Sequence, residues 1–311
     1  MPVIRQLTLL MIVNLIAWPH IEAMRGGKEV QTIWDGQSAG FLITWTTSDI
    51  RASSAKDGSL VFSAAQFARE DFQASDAETR KDNARINRES KRNGDPPLEA
   101  NPCTVEREIT LLSVVGSILT FRDHFFASCE REAHPAGNTR YTAIDLAKPG
   151  RMPYPSIDYD VDTTKPSKVV QLTDLFADGE ILRALTADVI ITKALKDIGK
   201  YPPRKLSALL PPILEPLGGE TARGCYEISG DLLTRFAFHH VEGNSVAVRL
   251  GLSGCGACRE CLTEIGILLP IPDSLREPLA LAEAGKEGFL LKDTKKILRG
   301  RQTKFIFRSK G

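Results

Sequence analysis

The chain has 311 residues, and its 40 lysines and arginines nearly balance its 39 aspartates and glutamates, for a formal net charge of +1. Hydrophobic residues make up 42% and charged residues 25%, which is typical of soluble globular proteins and excludes collagen, a coiled coil and a wholly disordered chain. The length suits one large or two modest domains, and the near-zero charge gives no general attraction to nucleic acid.

The first 23 residues have the pattern of an export signal. Arg5 precedes a short apolar run over 7–18, which has the usual length of a signal sequence and is shorter than the roughly 20 residues that a spanning helix needs. Ala23 supplies a small residue at a suitable cleavage position, although a buried N-terminal helix is the alternative. We predict that residues 1–23 are removed and that the mature chain, without a membrane span, is periplasmic or secreted.

Residues 24–101 are predicted to form a small N-terminal part of strands and helix. The aromatic and β-branched segment 40–47 predicts a strand, and 59–62 predicts a second one before the start of a helix. Apolar residues almost vanish over 69–101, so this charged linker is expected to be either a solvated helix or a mobile segment. It precedes a main domain over 102–290.

The main domain is predicted to begin with a hairpin that carries a disulfide. Segments 104–114 and 117–127 have strand composition and flank a turn at Gly116. Cys103 and Cys129 are equidistant from this turn, so they should face each other with Cα atoms about 5 Å apart, which permits a disulfide. Because an exported protein with six cysteines meets oxidising surroundings, we predict the pair Cys103–Cys129.

The other four cysteines are Cys225 and a cluster of Cys255, Cys258 and Cys261. The oxidising compartment favours two disulfides among them. Two other interpretations stay open. The C-x-x-C-x-x-C spacing with Cys225 as fourth ligand also fits a zinc or iron–sulfur site, and Cys255 with Cys258 also fits a redox-active pair. We assign no cofactor and no metal to the chain on this pattern.

Strands in hairpins and one long helix are expected in the rest of this domain. Apolar side chains recur at helical spacing over 180–198 and predict the best helix of the chain. The other elements are strands over 138–146 and 265–270, a hairpin of 236–240 with 245–252, and a helix over 274–284 capped by Ser274. The fold class is therefore α+β, with an antiparallel sheet of hairpins packed on one long helix and stapled by disulfides.

The order of motifs in this domain resembles a known exported family. A hairpin leads into Ala-His-Pro at 133–135, then a strand ending Ile-Asp-Leu at 144–146, Leu-Thr-Asp-Leu-Phe at 172–176, a helix and a final hairpin. Over roughly 103–290 this is similar to the ectodomain of the anti-sigma-V factor, a lysozyme receptor, and to a domain of certain peptidoglycan deacetylases. The resemblance implies an α+β exported domain without catalytic residues of its own, and lysozyme-like proteins as partners of some members. The family commonly has Gly-Gly where this chain has Arg-Glu at 131–132.

Two candidate ligand sites stand out in this domain. His134 precedes a proline that holds its backbone extended, so it either faces a ligand or is fixed in a turn by hydrogen bonds. Asp158, Asp160 and Asp162 alternate, and in an extended chain their carboxylates share one face about 7 Å apart. Such a ladder can hold Ca²⁺ or meet a basic partner, or it is a solvated acidic loop. An EF-hand is excluded because Thr163 stands where that loop requires glycine.

The C-terminal tail, residues 291–311, is strongly basic. It holds eight lysines and arginines and one aspartate, a local net charge of +7, together with the apolar residues Phe305, Ile306 and Phe307. A tail of this kind is suited to contact with anionic envelope polymers or lipid head groups. The alternative is a disordered terminus or an edge strand.

No motif of this chain assigns a catalytic residue. Ser53 and Lys56 fit S-x-x-K without its partner motifs, and His239 and His240 are expected on opposite faces of a strand, where they cannot chelate one ion. We therefore expect a non-enzymatic cell-envelope protein that binds a protein or cell-wall ligand through a sheet face or inserted loops. Two alternatives stay open: a hydrolase of peptidoglycan or glycan that uses the acidic ladder, and a metal or redox module at the cysteine cluster.

Overall fold

A computed structural model describes residues 29–99, 101–131, 136–150, 152, 167–197, 201–209, 226–227, 232–254 and 264–309. Within these ranges the protein is a mixed α/β structure built on antiparallel sheets. The strands are β1 (Thr32–Ser38), β2 (Phe41–Thr46), β3 (Ile50–Ser54), β4 (Leu60–Ser63), β5 (Cys103–Val115), β6 (Ile118–Cys129), β7 (Ala136–Asp145), β8 (Tyr226–Glu227), β9 (Phe236–Glu242), β10 (Ser245–Gly251), β11 (Ser253–Gly254), β12 (Glu264–Pro270) and β13 (Thr303–Arg308).

The helices interleave with these strands. They are α1 (Ala64–Asn93), α2 (Asp178–Ala187), α3 (Val189–Asp197), α4 (Leu206–Leu209), α5 (Asp273–Glu283) and α6 (Leu291–Leu298), with short 3₁₀ helices at Leu172–Asp174 and Leu232–Thr234. None of the helices in the described ranges is long and apolar enough to cross a membrane.

The central sheet has the strand order β13-β5-β6-β7. Its long hairpin of β5 and β6 turns at Gly116, where φ is +59°, a conformation that glycine adopts without a steric penalty. The register places Cys103 directly opposite Cys129, and a disulfide joins them with their Cα atoms 4.0 Å apart. The prediction of this disulfide from its symmetry about the turn is confirmed.

A second sheet, with the order β1-β2-β3-β4, packs together with α1 over one face of the central sheet. Trp45 and Phe62 from this sheet and Phe121 from β6 lie in one hydrophobic cluster. The indole Nε1 of Trp45 donates a hydrogen bond of 2.9 Å to the hydroxyl of Thr303 in β13. The N-terminal sheet and the C-terminal strand are therefore joined to the same core as the central hairpin.

The charged stretch 69–101, expected to be a solvated helix or a mobile segment, is mostly helical and belongs to α1. The hydroxyl of Ser63 accepts the N–H of Gln66 at 3.1 Å and caps the start, and Gly94, with φ of 77°, ends the helix. The buried residues of α1 all lie near its start, at Ala64, Phe67, Ala68 and Asp71. The remainder carries ion pairs at helical spacing on its exposed surface.

The long helix predicted over 180–198 is in fact two helices, α2 and α3, and α1 is the longest of the described helices. Asp188 separates them with an extended backbone, at φ −73° and ψ 131°. Its carboxylate accepts the N–H groups of Ile190 and Ile191 at 2.9 and 3.0 Å and so caps α3. The apolar periodicity continues through the break because both helices bury residues in one core, at Ile181, Leu185, Ile191 and Leu195.

This second core lies under a three-stranded sheet with the order β12-β10-β9. The sheet agrees with the predicted hairpin and final strand. Helix α5 begins at Asp273 after Pro272 and has no side-chain cap, so the predicted cap at Ser274 is wrong. Proline suits this position because its fixed φ is compatible with entry into a helix and it has no N–H to satisfy.

Residues 291–309 of the basic tail fold as α6 and β13. Strand β13 pairs antiparallel with β5, with Arg308 opposite Thr104 at one end. The ring of Phe307 stacks on Phe72 of α1, with the ring centroids 4.9 Å apart. Of the alternatives for the tail, the edge strand is the one observed.

Candidate functional site

Most of the ligand residues predicted from the sequence lie outside the described residues. These are His134, Asp158, Asp160, Asp162, Cys225, Cys255, Cys258 and Cys261. The hydrolase and the metal or redox alternatives depend on them. Among the residues that the structure does describe, no group of three or more His, Cys, Asp or Glu side chains is placed to hold a metal ion.

The structure instead exposes half of one face of the central sheet, which we call the open sheet face. Residues directly opposite each other in an antiparallel pair point to the same side. Ile306, Glu106 and Phe126 therefore form one row across β13, β5 and β6, and a second row lies beside it. The open sheet face consists of Glu106, Glu108, Arg122, His124, Phe126, Lys304 and Ile306.

The open sheet face ends where the three-stranded sheet begins to cover β5. The N–H of Phe238 in β9 donates to the hydroxyl of Ser113 at 3.3 Å, and residues 109–115 are buried on both faces. This boundary has a signal in the sequence. Residues 104–108 contain one apolar residue, Val105, whereas 109–115 are largely apolar, as in a strand that is buried on both faces.

The open sheet face combines apolar and charged groups. Ile306 is 61% exposed and Phe126 is 39% exposed, although both are large hydrophobic side chains. Beside Phe126 lies a shallow depression of about 190 Å³ that Glu106, Glu108 and Lys304 also line.

Both carboxylates on this face have a cation close by. Lys304 pairs with Glu106 across β13 and β5, and Arg122 Nη2 lies 3.5 Å from Glu108 Oε1. The ring Nδ1 of His124 is hydrogen-bonded to the hydroxyl of Thr139 at 2.8 Å. Each carboxylate of the open sheet face is therefore paired with a cation, and His124 is hydrogen-bonded to a neighbouring strand.

A histidine pair lies on the outer side of the three-stranded sheet. The register shifts at Ala247, so that His239 is the extra residue of a β-bulge and His240 faces Ala247. A bulge sets two successive residues against one, which breaks the alternation of faces. The Nδ1 atoms of His239 and His240 are 2.7 Å apart. The expectation that these two side chains point to opposite faces is therefore wrong, and nothing in the sequence signalled the bulge.

Burial disfavours the charged form of His239. Burial lowers its pKa, and the nearby Arg249 and His240 lower the pKa further, while Glu264 acts in the opposite direction. The lowered pKa favours the neutral imidazole, which has one nitrogen lone pair that can accept a proton, a hydrogen bond or a metal ion.

The cations around the histidine pair are matched by carboxylates. Lys292 forms an ion pair with Glu283, and Arg249 Nε lies 3.9 Å from Glu264 Oε1. Burial alone would raise the pKa of Glu283, but its contacts with Lys292 and with the N–H of Val241 outweigh burial and leave the pKa lowered. The histidine pair is therefore half-buried, and Lys292 and Arg249 beside it each have a carboxylate partner.

Comparison with known proteins finds no match for this chain: no family model, no curated protein and no solved structure is similar to it. The open sheet face and the histidine pair are therefore interpreted from the geometry of this chain.

Proposed function

We propose that the chain is an exported, non-enzymatic cell-envelope protein that binds a protein or cell-wall ligand through the open sheet face. The observation that carries this proposal is the exposure of Phe126 and Ile306 beside the charged side chains of Glu106, Glu108 and Lys304, on a sheet whose other face packs in part against α1 and the N-terminal sheet. Aromatic and aliphatic anchors within a charged rim are characteristic of surfaces that bind partners.

Two features support export. The first is the signal pattern of the N-terminus. The second is the disulfide between Cys103 and Cys129, because structural disulfides persist outside the reducing cytosol. Together these two features support the proposed periplasmic or secreted location.

The open sheet face is held in a fixed shape by this disulfide. Cys103 precedes Glu106 in β5 by three residues, and Cys129 follows Phe126 in β6 by three, so the bond closes the hairpin beside the face. A rigid surface loses less conformational entropy when it binds. The resemblance to the anti-sigma-V ectodomain adds a lysozyme-like protein to the proposed partners, beside envelope proteins and cell-wall polymers.

Replacing both Phe126 and Ile306 by lysine should weaken binding of the partner at least about tenfold, because buried anchors contribute roughly 2 kcal/mol each in protein interfaces. The mature protein is immobilised and incubated separately with envelope extract, purified cell wall and c-type lysozyme, and the bound material is quantified against the variant.

The matched control is Leu42→Lys with Leu60→Lys, which places the same two charges at leucines of the N-terminal sheet that are 49% and 45% exposed. The control should bind as the original protein does, and thermal unfolding verifies that both variants are folded. Equal binding by the original protein and the double variant would contradict the proposal, as would the absence of any bound species in all three incubations.

A further inference from the structure

We propose that His239 and His240 form a bidentate site for a divalent transition-metal ion, with Cu²⁺ as the ion that fits best. The site lies on the three-stranded sheet, away from the open sheet face, and the proposal is independent of the binding function given above. It rests on the spacing of the two ring nitrogens, on the bulge that creates this spacing, and on the surroundings of the pair.

The spacing of the two Nδ1 atoms, 2.7 Å, is close to the bite that a metal ion requires. Metal–imidazole bonds are about 2.0 Å long, so two ligands at a right angle are about 2.8 Å apart, and two ligands at the tetrahedral angle are about 3.3 Å apart. The observed value agrees with the right angle, which square-planar Cu²⁺ and Ni²⁺ prefer. Cu²⁺ is also the most strongly bound of the divalent first-row ions.

The bulge at His239 creates this arrangement of the two rings. In a regular strand neighbouring side chains point to opposite faces, and two adjacent histidines cannot reach one ion. The extra residue in β9 brings both rings to one side and holds them there through the hydrogen bonds of the surrounding strand pair. The imidazole of His240 is 37% exposed, so solvent has access to the pair.

One of the two Nδ1 atoms carries a proton in the observed hydrogen bond, so a metal ion needs a change of tautomer in that ring. Coordination through both Nδ1 atoms requires each ring to carry its proton on Nε2, and the Nε2 of His240 lies 3.9 Å from the carboxylate of Glu242. A carboxylate beside the outer nitrogen is the usual second partner of a metal-binding histidine. Binding moves the proton shared between the Nδ1 atoms to an Nε2 atom through solvent, and no net proton is released from two neutral rings.

The charges nearby act in both directions, because Arg249 and Lys292 disfavour a positive charge at His239 and Glu264 favours one. Lys292 and Arg249 are each matched by a carboxylate, Glu283 and Glu264 respectively. No third His, Cys, Asp or Glu completes a ligand set among the described residues, so water fills the other positions of the ion. The result is an exchangeable site with open positions rather than a closed structural one.

Electron paramagnetic resonance of the mature protein with half an equivalent of Cu²⁺ tests this site. Free thiols are first alkylated, so that the cysteines do not bind copper. We expect coupling to two imidazole nitrogens in the original protein and loss of at least one of the two couplings in both His239→Gln and His240→Gln. His124→Gln, which removes a surface histidine from another sheet, is the matched control and should leave the spectrum unchanged.

Thermal unfolding of the three variants verifies that each retains the fold. A two-nitrogen spectrum that persists in both His239→Gln and His240→Gln would overturn the proposal, because the copper would then be bound elsewhere. A spectrum of the original protein with fewer than two nitrogen couplings would overturn it equally. Neither result bears on the open sheet face, since that function is measured by partner binding.

Discussion

Replacing Arg107 by methionine is expected to lower the free energy of unfolding by about 3–5 kcal/mol. Arg107 is 5% exposed, and its guanidinium donates hydrogen bonds to Asp71 of α1 at 2.6 Å and to Asp123 of β6 at 2.8 Å. Burial alone would lower the pKa of Arg107, but Asp123 and Asp71 outweigh burial and raise that pKa, so the group stays charged. Methionine keeps much of the volume and removes the guanidinium that both buried carboxylates contact.

Urea denaturation of the variant measures this loss, and Arg122→Met is the matched control. Arg122 lies on the same sheet but is 39% exposed, and its contact with Glu108 is 3.5 Å long, so its replacement should cost less than about 1 kcal/mol. Equal losses of unfolding free energy in the two variants would show that the buried ion pairs of Arg107 stabilise the fold no more than the exposed contact of Arg122 does.

Replacing both Cys103 and Cys129 by alanine is expected to lower the free energy of unfolding by roughly 3 kcal/mol, because the disulfide restricts a loop of the unfolded chain. The two cysteines are 26 residues apart in sequence. Denaturation in urea without reductant compares the variant with the original protein. The same substitution should also weaken partner binding at the open sheet face, since it releases the end of the hairpin that carries Glu106 and Phe126.

The neighbouring cross-strand pair supplies the control. Thr104 lies opposite Ser128 in the same register, and replacing both by alanine removes a pair of similar position without a covalent bond. That variant should lose less than about 1 kcal/mol. If both double variants were destabilised equally, the disulfide would not be what stabilises this end of the sheet.

The parts of the fold that depend on local sequence were predictable. The hairpin about Gly116 follows from strand composition and a turn residue, and the disulfide follows from its symmetry, because residues equidistant from a turn face each other. The capping signals of α1 were also present in the sequence, with Ser63 before the helix and Gly94 after it. These capping signals favour a solvated helix over a mobile segment, whereas the composition of residues 69–101 alone does not distinguish the two.

The parts that depend on distant residues were not predictable from local patterns. The open sheet face ends where β9 packs on β5, as in the contact between Phe238 and Ser113, which are 125 residues apart in sequence. The histidine pair depends on the register of β9 against β10, which places one extra residue at His239. The break at Asp188 lay within an unbroken apolar period, because both helices face the same core.

The central claim is that the protein is exported and that Cys103 and Cys129 form a disulfide. It is tested most directly in the cells that produce the protein. Free thiols are alkylated at the moment of lysis, and mass spectrometry then determines the first residue of the chain and the state of each cysteine. We predict a chain that begins near Met24 and in which Cys103 and Cys129 are found in one linked peptide pair. A chain that still begins at Met1 and carries the alkylating group on both cysteines would contradict export and the function proposed from it.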